Sequence, residues 1–317
     1  MTNFDHRASA ETAGNEAQKS AIILFGEMLA DVFPERSVPG GAPFNVARHL
    51  AAFGQNPLLI SRLGNDALGD RMRGDMTAWD MDSAAVQIDD AHPSGRVQVH
   101  IEDDGHRFEI LPCQAYDFID QAAAVAAVSR VMPSLVYYGS LGQRHVVSKQ
   151  ALREVLQAVP VPRFLDINLR KPWYDKATVD FSLQQADVVK LNADELEELA
   201  YMFGVGGASL RDLAVVLKKM FGITRLIVTC GGDGAWQLAH DNDFFHAVPG
   251  NAGLSIKDTV GAGDAFAAIC ILGMTLSWSA ATALERANLF AAAICQIRGA
   301  VPDDLNFYLP YRKEWKL

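Results

Sequence analysis

The residues best suited to chemistry lie in one short stretch, Asp258–Phe266, which reads DTVGAGDAF. Its glycines allow a tight turn and close approach of backbone to a ligand. The apolar run that follows predicts a helix, and the N–H groups and positive dipole end of its first turn favour an anion such as a phosphoryl group. Asp264 at this helix start has two interpretations. It is an N-cap, or it orients a hydroxyl and accepts its proton in phosphoryl transfer.

A second glycine motif lies near the other end of the chain, where Gly40 to Ala47 read GGAPFNVA. Paired glycines fit a loop whose backbone approaches a ligand. Asn45 falls in the first turn of a predicted helix, where local hydrogen bonding alone could explain it. Asp31, after the first predicted strand, is by itself compatible with a solvated loop carboxylate.

Polar residues also follow three predicted strands, where ligands bind in parallel sheets. Asp166, Asn168 and Arg170 lie in the segment DINLR, and a guanidinium there could contact phosphate or substrate as a forked donor. The segment NADE, Asn192 to Glu195, is by itself an acidic, well-capped helix start. The turn TCGGDG, Thr229 to Gly234, could simply link two strands.

The two glycine motifs together resemble the signatures of the ribokinase-like sugar kinases, the phosphofructokinase-B type, whose hallmark reads DTxGAGD. The resemblance extends from about Ala21 to the C-terminus and implies an ATP-dependent sugar kinase. It implies that Asp264 takes the hydroxyl proton, and that the backbone of Gly261, Ala262 and Gly263 forms the anion hole. No Walker GxxxxGK[ST] motif occurs in the sequence.

The same resemblance assigns most of the remaining site residues. On the substrate side it assigns Asp31, Gly40, Gly41 and Asn45. Asp166, Asn168 and Arg170 are added to the substrate side because they follow a predicted strand. The nucleotide side comprises Asn192, Glu195, Thr229, Gly231, Gly234 and Asn288. Glu195 is expected to organise Mg²⁺ through water, since Mg²⁺ keeps several waters, and Asp258 to help bind a monovalent cation, K⁺ being the candidate.

The substrate is left open by the residues. The Ala-Pro pair of GGAPFNVA resembles fructokinases, whereas ribokinases tend to show GGKGAN, so fructose is the expected sugar. The alternatives are 2-keto-3-deoxygluconate, then ribose or a nucleoside. The family more often has proline where this chain has Ile167, which leaves the subfamily open. A sugar-binding protein without catalysis is the alternative from another class.

Alternation of apolar strands and helices predicts a doubly wound α/β fold with a mostly parallel sheet, carried by residues 21–317. The predicted strands are Ala21–Glu27, Pro57–Leu63, Leu135–Tyr138, Arg163–Ile167, Val188–Leu191 and Leu226–Thr229. The predicted helices include Phe44–Phe53, Gln121–Arg130, Ser148–Gln157 and Leu210–Phe221.

A different pattern follows Gly95. Val97, Val99 and Ile101 alternate with polar residues, Asp103-Asp104-Gly105 is a turn signal, and the alternation resumes after it, which predicts a hairpin. Residues 31–41 and 95–116 are expected to form a small projecting β-sheet. The resemblance makes this sheet a lid over the sugar and implies a homodimer formed through it.

Composition disfavours two classes of partner. Net charge is −10 without a basic run, so nucleic acid and anionic membranes are poor candidates. Four scattered cysteines favour reduced thiols in a cytosolic protein. Residues 1–20 are polar and alanine-rich, which predicts a flexible tail and not a signal peptide. Ala265–Leu284 has no charge, but a polar break near Leu276–Ser279 favours two buried helices.

Overall fold

The computed structural model describes residues 20–102, 105–239, 243–248 and 255–317. The tail predicted for residues 1–20 lies outside the described residues, apart from Ser20. The turn predicted at Asp103-Asp104-Gly105 lies outside them apart from Gly105.

Strands in the described residues are β1 (Ala21–Phe25), β2 (Leu29–Val32), β3 (Ser37–Gly40), β4 (Pro57–Gly64), β5 (Val86–Asp89), β6 (Gly95–Glu102), β7 (Gly105–Ile110), β8 (Pro133–Gly139), β9 (Arg163–Asp166), β10 (Val188–Asn192), β11 (Arg225–Thr229), β12 (Ala235–Leu238) and β13 (Phe244–Ala247). Helices are α1 (Ala42–Ala52), α2 (Ala67–Ala78), α3 (Gln121–Val128), α4 (Val146–Ala158), α5 (Lys176–Gln185), α6 (Ala193–Phe203), α7 (Leu210–Phe221), α8 (Ala262–Thr275), α9 (Ala280–Ile294) and α10 (Leu309–Trp315).

A nine-stranded sheet in the order β13-β12-β11-β10-β9-β8-β1-β4-β5 forms the centre of the fold. Neighbouring strands of this sheet pair in parallel along the series β5, β4, β1, β8, β9, β10 and β11. Strands β12 and β13 add an antiparallel edge. The central strand β1 reads AIILF and is buried throughout, as expected for a parallel strand covered on both faces. The mostly parallel sheet predicted from the sequence is confirmed.

Helices cover both faces of this sheet. Phe44 of α1, Phe266 of α8 and Phe290 of α9 belong to one buried apolar cluster. Leu152 of α4 and Leu196 of α6 belong to the cluster on the opposite face. The chain therefore folds as the predicted doubly wound arrangement, with two helices, α5 and α10, that the sequence patterns did not reveal.

The strand order reverses beside β1. The chain leaves β1 toward β4 and β5, then returns to pair β8 on the other side of β1. Ligands of open α/β sheets bind at the carboxyl ends of the strands, at such a reversal. The ends of β1, β8, β9 and β10 therefore define where the site should lie.

A second sheet of four strands runs in the order β3-β2-β6-β7. The predicted hairpin β6–β7 is present, and β2 pairs β6 in parallel. This sheet has a small core of its own, formed by Leu29, Val97, Tyr116 and Leu141. The hairpin is thus not isolated, because two strands before α1 extend it.

The long uncharged run Ala265–Leu284 is divided between α8 and α9, as the polar break predicted. Within the described residues, no helix combines the length and apolarity needed to cross a bilayer.

Candidate active site

A cleft of about 1570 Å³ is lined by residues from both sheets. The two glycine motifs contribute to its walls, and so do the ends of β10 and β11. Apolar side chains of the small sheet, among them Val97, Phe108 and Ile110, line it too. The small sheet therefore borders the cleft that the main sheet opens at its carboxyl edge.

The DTVGAGD segment forms a tight turn into α8. Gly261 is the N-cap residue with φ 76°, and a Cβ at this position would lie 2.3 Å from the Cβ of Ala300. Only glycine fits that space and that left-handed backbone. Because Gly261 caps the helix, Asp264 lies three residues inside it, and the capping interpretation of Asp264 does not hold.

The first turn of α8 presents amides to the cleft. The Ala262 amide donates to the carbonyl of Thr259 at 3.3 Å. The amides of Gly263 and Asp264 also belong to the first turn, whose N–H groups have no intrahelical acceptor. Gly263 is thus better placed than Ala262 to serve as an anion-hole donor.

Asn45 connects the two motifs. Its Nδ2 donates to Oδ2 of Asp264 at 2.8 Å, across 219 residues of sequence. Asn45 is only 4% exposed, and its Oδ1 has no hydrogen-bond partner. The backbone before α1 is fixed by Gly41, whose φ is 101° and where a Cβ would lie 2.6 Å from the carbonyl oxygen of Glu27.

Burial raises the pKa of Asp264 to about 6. The hydrogen bond from Asn45 lowers it, Asp166 raises it, and the cations of Lys190 and Arg170 lower it. The carboxyl is therefore a stronger base than an ordinary aspartate and is still largely ionised at neutral pH.

The proposed sugar side holds two further carboxyl groups. Asp31 lies in β2, and a Cβ on Gly40 would be 3.9 Å from its Oδ2. Burial, with Asp258 as a smaller cause, raises the Asp31 pKa to about 6. Sequence reasoning missed Glu27, which lines the cleft, is 3% exposed and has no partner for Oε2.

Burial also raises the pKa of Glu27 to about 7, with Asp264 as a further raising cause. The signal that could have identified this residue is its place directly after the apolar run of β1. A carboxylate there belongs at the carboxyl edge of the sheet.

The DINLR segment is only partly on the cleft. Both carboxylate oxygens of Asp166 accept from Lys190 Nζ at 3.0 Å, and the Asp166 side chain is 1% exposed. Lys190 lines the cleft, whereas Asp166 is not among the lining residues. Because Asp166 is buried, it is not suited to direct substrate contact. Sequence reasoning missed Lys190, and the signal that could have identified it is a lysine within the otherwise apolar VVKLN.

Asn168 and Arg170 do line the cleft. Asn168 has a φ of 41°, and its carbonyl accepts from the Ser140 hydroxyl at 3.2 Å. Arg170 is exposed, and its Nη1 donates to the Leu169 carbonyl at 3.1 Å. Its exposed guanidinium is available to an anionic group in the cleft.

Asn192 and Glu195 form a capping box at the start of α6. Asn192 Oδ1 accepts from the Glu195 amide at 2.8 Å, and Glu195 Oε2 accepts from the Asn192 amide at 2.9 Å. Glu195 Oε1 also accepts from the Leu169 amide at 2.8 Å. Glu195 therefore ties this helix to the DINLR loop, and its bonds favour contact with a metal through water.

The remaining residues expected on the nucleotide side lie along the same cleft. Thr229, Gly231 and Gly234 line it after β11, with φ 53° at Gly231 and 89° at Gly234. Asn288 of α9 lines it as well and donates through Nδ2 to the carbonyl of Val248.

Asp258 links the two loops beside the helix start. Its Oδ1 accepts from the Val260 amide and its Oδ2 from the Gly299 amide, both at 3.0 Å. The described residues contain no group of three or more His, Cys, Asp or Glu arranged to hold a metal ion. A divalent cation here would need oxygens from a ligand and water to complete its coordination.

Comparison with known proteins identifies the relatives of this chain. Residues 17–305 match the model of the pfkB family carbohydrate kinases. The fructokinase of Salmonella typhimurium is 27% identical over 313 residues, covering 92% of this chain and 97% of that protein.

Two solved structures share the fold. Aminoimidazole riboside kinase from Salmonella enterica, determined with aminoimidazole riboside and an ATP analogue, has a TM-score of 0.75 at 23% identity, covering 92% of this chain and 100% of that one. Fructokinase from Vibrio cholerae, determined with fructose, ADP and calcium, has a TM-score of 0.71 at 23% identity, covering 89% of this chain and 94% of that one. A double mutant of the latter was determined with fructose, ADP and a potassium ion.

Proposed function

This chain belongs to the pfkB family of carbohydrate kinases, and from that premise we propose that it transfers the γ-phosphoryl group of ATP to fructose, giving fructose 6-phosphate. The observation that carries the proposal is the hydrogen bond by which Asn45 holds Asp264 beside the first-turn amides of α8. It joins a candidate base to an anion site, the pair that phosphoryl transfer requires.

In the proposed reaction, Asp264 accepts the proton of the attacking hydroxyl as the new sugar O–P bond forms. The bond between the γ-phosphorus and its bridging oxygen breaks, and that oxygen leaves on ADP with the electron pair. The amides of Gly263 and Asp264 face the charge on the transferred group, and fixed dipoles of this kind lower the barrier without reorganisation. A pKa of about 6 supports this role, because the base is ionised at neutral pH yet basic enough to take the proton.

Mg²⁺ fits the hard oxygen donors around the nucleotide end of the cleft. Glu195 would act through water, because both of its carboxylate oxygens accept backbone N–H bonds. When bound with ATP, Mg²⁺ supplies charge neutralisation at the phosphates. Asn192, Thr229, Gly231, Gly234 and Asn288 are the proposed nucleotide contacts.

A monovalent cation is proposed beside Asp258, with carbonyl groups near Val260 and Gly299 completing its ligands. Asp258 already organises these two loops, so an ion there would shape the adjacent anion hole. Replacing Na⁺ with K⁺ at fixed ionic strength should raise activity. Equal activity in the two salts removes this part of the proposal.

Fructose is favoured by the Ala42-Pro43 pair of GGAPFNVA and by the fructokinase relatives. Asp31, Gly40, Gly41, Asn45, Asn168 and Arg170 are the proposed sugar contacts. Glu27 is an addition, since its buried Oε2 lacks a partner and a sugar hydroxyl would provide one. Asp166 is proposed to position Lys190 and not to touch the sugar.

We propose that residues 21–317 form one catalytic unit, with residues 31–41 and 95–116 as its lid, and that the lid mediates a homodimer. Strand β7 supports this assembly, because it is an edge strand with Phe108 51% exposed. An unpaired strand edge with an exposed aromatic residue favours pairing with another chain.

The sugar is tested by ADP release against fructose, 2-keto-3-deoxygluconate, ribose and aminoimidazole riboside, with Mg²⁺ and K⁺ present. We expect the highest kcat/KM with fructose. A higher value with another sugar replaces fructose as the substrate. Sugar binding without ADP release from any of them overturns the catalytic proposal in favour of a binding protein.

A further inference from the structure

Lys190 is a buried cation that neither glycine motif explains. It lies in β10 with its neighbours Val189 and Leu191 fully buried, and it is itself only 6% exposed. Val188, two residues earlier, packs in the cluster on the α8 side of the sheet. Because side chains alternate along a strand, Lys190 points to that same side.

The ammonium group lies against the turn that starts α8. A Cβ on Gly263 would be 3.2 Å from Lys190 Nζ, so Nζ is close to the second residue of the helix. Lys190 also lines the cleft. A positive charge therefore lies beside the first-turn amides where an anion is expected to bind.

Asp166 fixes the orientation of this ammonium group. Both of its oxygens accept from Nζ at 3.0 Å, and Asp166 lies behind Lys190, away from the cleft. Two acceptors occupy two of the three ammonium N–H groups at most, which leaves one for a ligand. Attraction from Asp166 and Glu195 outweighs burial and raises the pKa of Lys190, so the group stays charged.

We propose that Lys190 is a catalytic residue whose ammonium group contacts the phosphoryl group during transfer, and that Asp166 is its positioning residue. The inference rests on the proposed kinase function. Lys190 keeps its proton throughout. The hydroxyl proton goes to Asp264, the sugar O–P bond forms, and the bond to the bridging oxygen of ADP breaks, while Lys190 balances charge on the phosphoryl oxygens.

The competing explanation is a purely structural ion pair. Removing one partner of a buried pair leaves an uncompensated charge and destabilises any fold, whatever the role of the pair. The informative comparison is therefore between Lys190→Gln, Asp166→Asn and the double variant Lys190→Gln/Asp166→Asn. The double variant has no unpaired charge and retains amide groups that can hydrogen-bond.

Three measurements separate the explanations: thermal unfolding, steady-state kcat, and calorimetric affinity for Mg²⁺-ADP with and without aluminium fluoride, a mimic of the transferred phosphoryl group. We expect the double variant to unfold near the wild-type temperature and to bind Mg²⁺-ADP within about threefold of wild type. Its kcat and its gain in affinity from aluminium fluoride should both fall about 10²- to 10³-fold. Asp166→Asn keeps the ammonium group, so its kcat and its gain in affinity from aluminium fluoride should fall much less than those of Lys190→Gln.

Restoration of both stability and kcat in the double variant, to within about threefold of wild type, overturns the proposal. If the double variant does not fold, the single variants are compared instead. A loss of kcat in Asp166→Asn as large as that in Lys190→Gln also overturns the proposal. The gain in affinity from aluminium fluoride is measured without any sugar. It therefore tests Lys190 even if the wild-type protein phosphorylates none of the sugars tried. Wild-type turnover with an unaffected double variant leaves the kinase proposal intact and removes Lys190 from it.

Discussion

Asn45 holds Asp264 in place and also lowers the pKa of its carboxyl group. The carboxyl has a pKa near 6 because burial raises it more than the Asn45 hydrogen bond lowers it. The base must be ionised to accept a proton, so kcat/KM should fall as pH decreases through about 6, well above the range of an ordinary aspartate.

Asn45→Ala removes a stabilising bond to the ionised form, so the acid limb of kcat/KM should move to higher pH by about one unit. The measurement is a pH profile between 5 and 8.5, with unfolding followed at each pH as a control. An acid limb that stays in place would show that Asp264 is not the group it reports.

Asp31 is expected to act in binding and not in the chemical step. Asp31→Asn keeps one acceptor but loses the charge that holds sugar hydroxyls both before and during transfer. A charge-assisted hydrogen bond contributes about 1.5–3 kcal/mol, which implies a rise in sugar KM of roughly 10- to 150-fold. Steady-state kinetics would contradict this role if kcat fell while sugar KM stayed constant.

At the scale of elements, the turn into α8 depends on a glycine that no other residue can replace. Gly261→Ala places a Cβ 2.3 Å from that of Ala300 and strains a φ of 76°. The backbone must shift, which misplaces the amides of the anion hole, so kcat should fall at least about 10²-fold.

Gly204→Ala is the matched control for this variant. Gly204 also has a positive φ, 67°, at the end of α6, but its Cβ would meet nothing within 4 Å. This variant should lose about 1–2 kcal/mol of stability through backbone strain, with unchanged kcat. Equal kcat in both variants would contradict the role assigned to the α8 turn.

The sequence predicted the elements whose signals are local. An apolar run predicted buried strands such as Val188–Leu191, and alternation of apolar and polar residues predicted the hairpin from Gly95. Residues 31–41 were expected in the small sheet, but no local pattern marked β2 and β3 as strands, because each is four residues long and β3 contains Pro39. Such strands are defined by pairing with distant partners, which no local window contains.

The same limit applies to the site. The sequence identified Asp264 and Asn45 separately, but only the folded chain brings them within 2.8 Å. The sequence analysis expected Asp166 to contact the substrate, whereas in the structure Asp166 lies behind Lys190. Glu27 and Lys190 were missed because a single charged residue in an apolar run has no spacing to recognise.

At the scale of the whole molecule, the small sheet is expected to join two copies of the chain. Light scattering should show a dimer at assay concentration, and Phe108→Asp should convert it to a monomer by placing a charge beside the edge strand. Tyr201→Asp, at a side chain 91% exposed on α6 and not lining the cleft, is the control and should stay dimeric. A wild-type monomer with full activity would exclude this assembly.

The most direct test of the whole account is kcat of Asp264→Asn with saturating ATP and sugar. The amide can still accept from Asn45 but cannot take the hydroxyl proton, so folding and Mg²⁺-ATP affinity should be retained. We predict a kcat about 10²- to 10⁴-fold below wild type, the range contributed by a general base. A folded variant with near wild-type kcat would contradict the mechanism, because Asp264 would then not be the base.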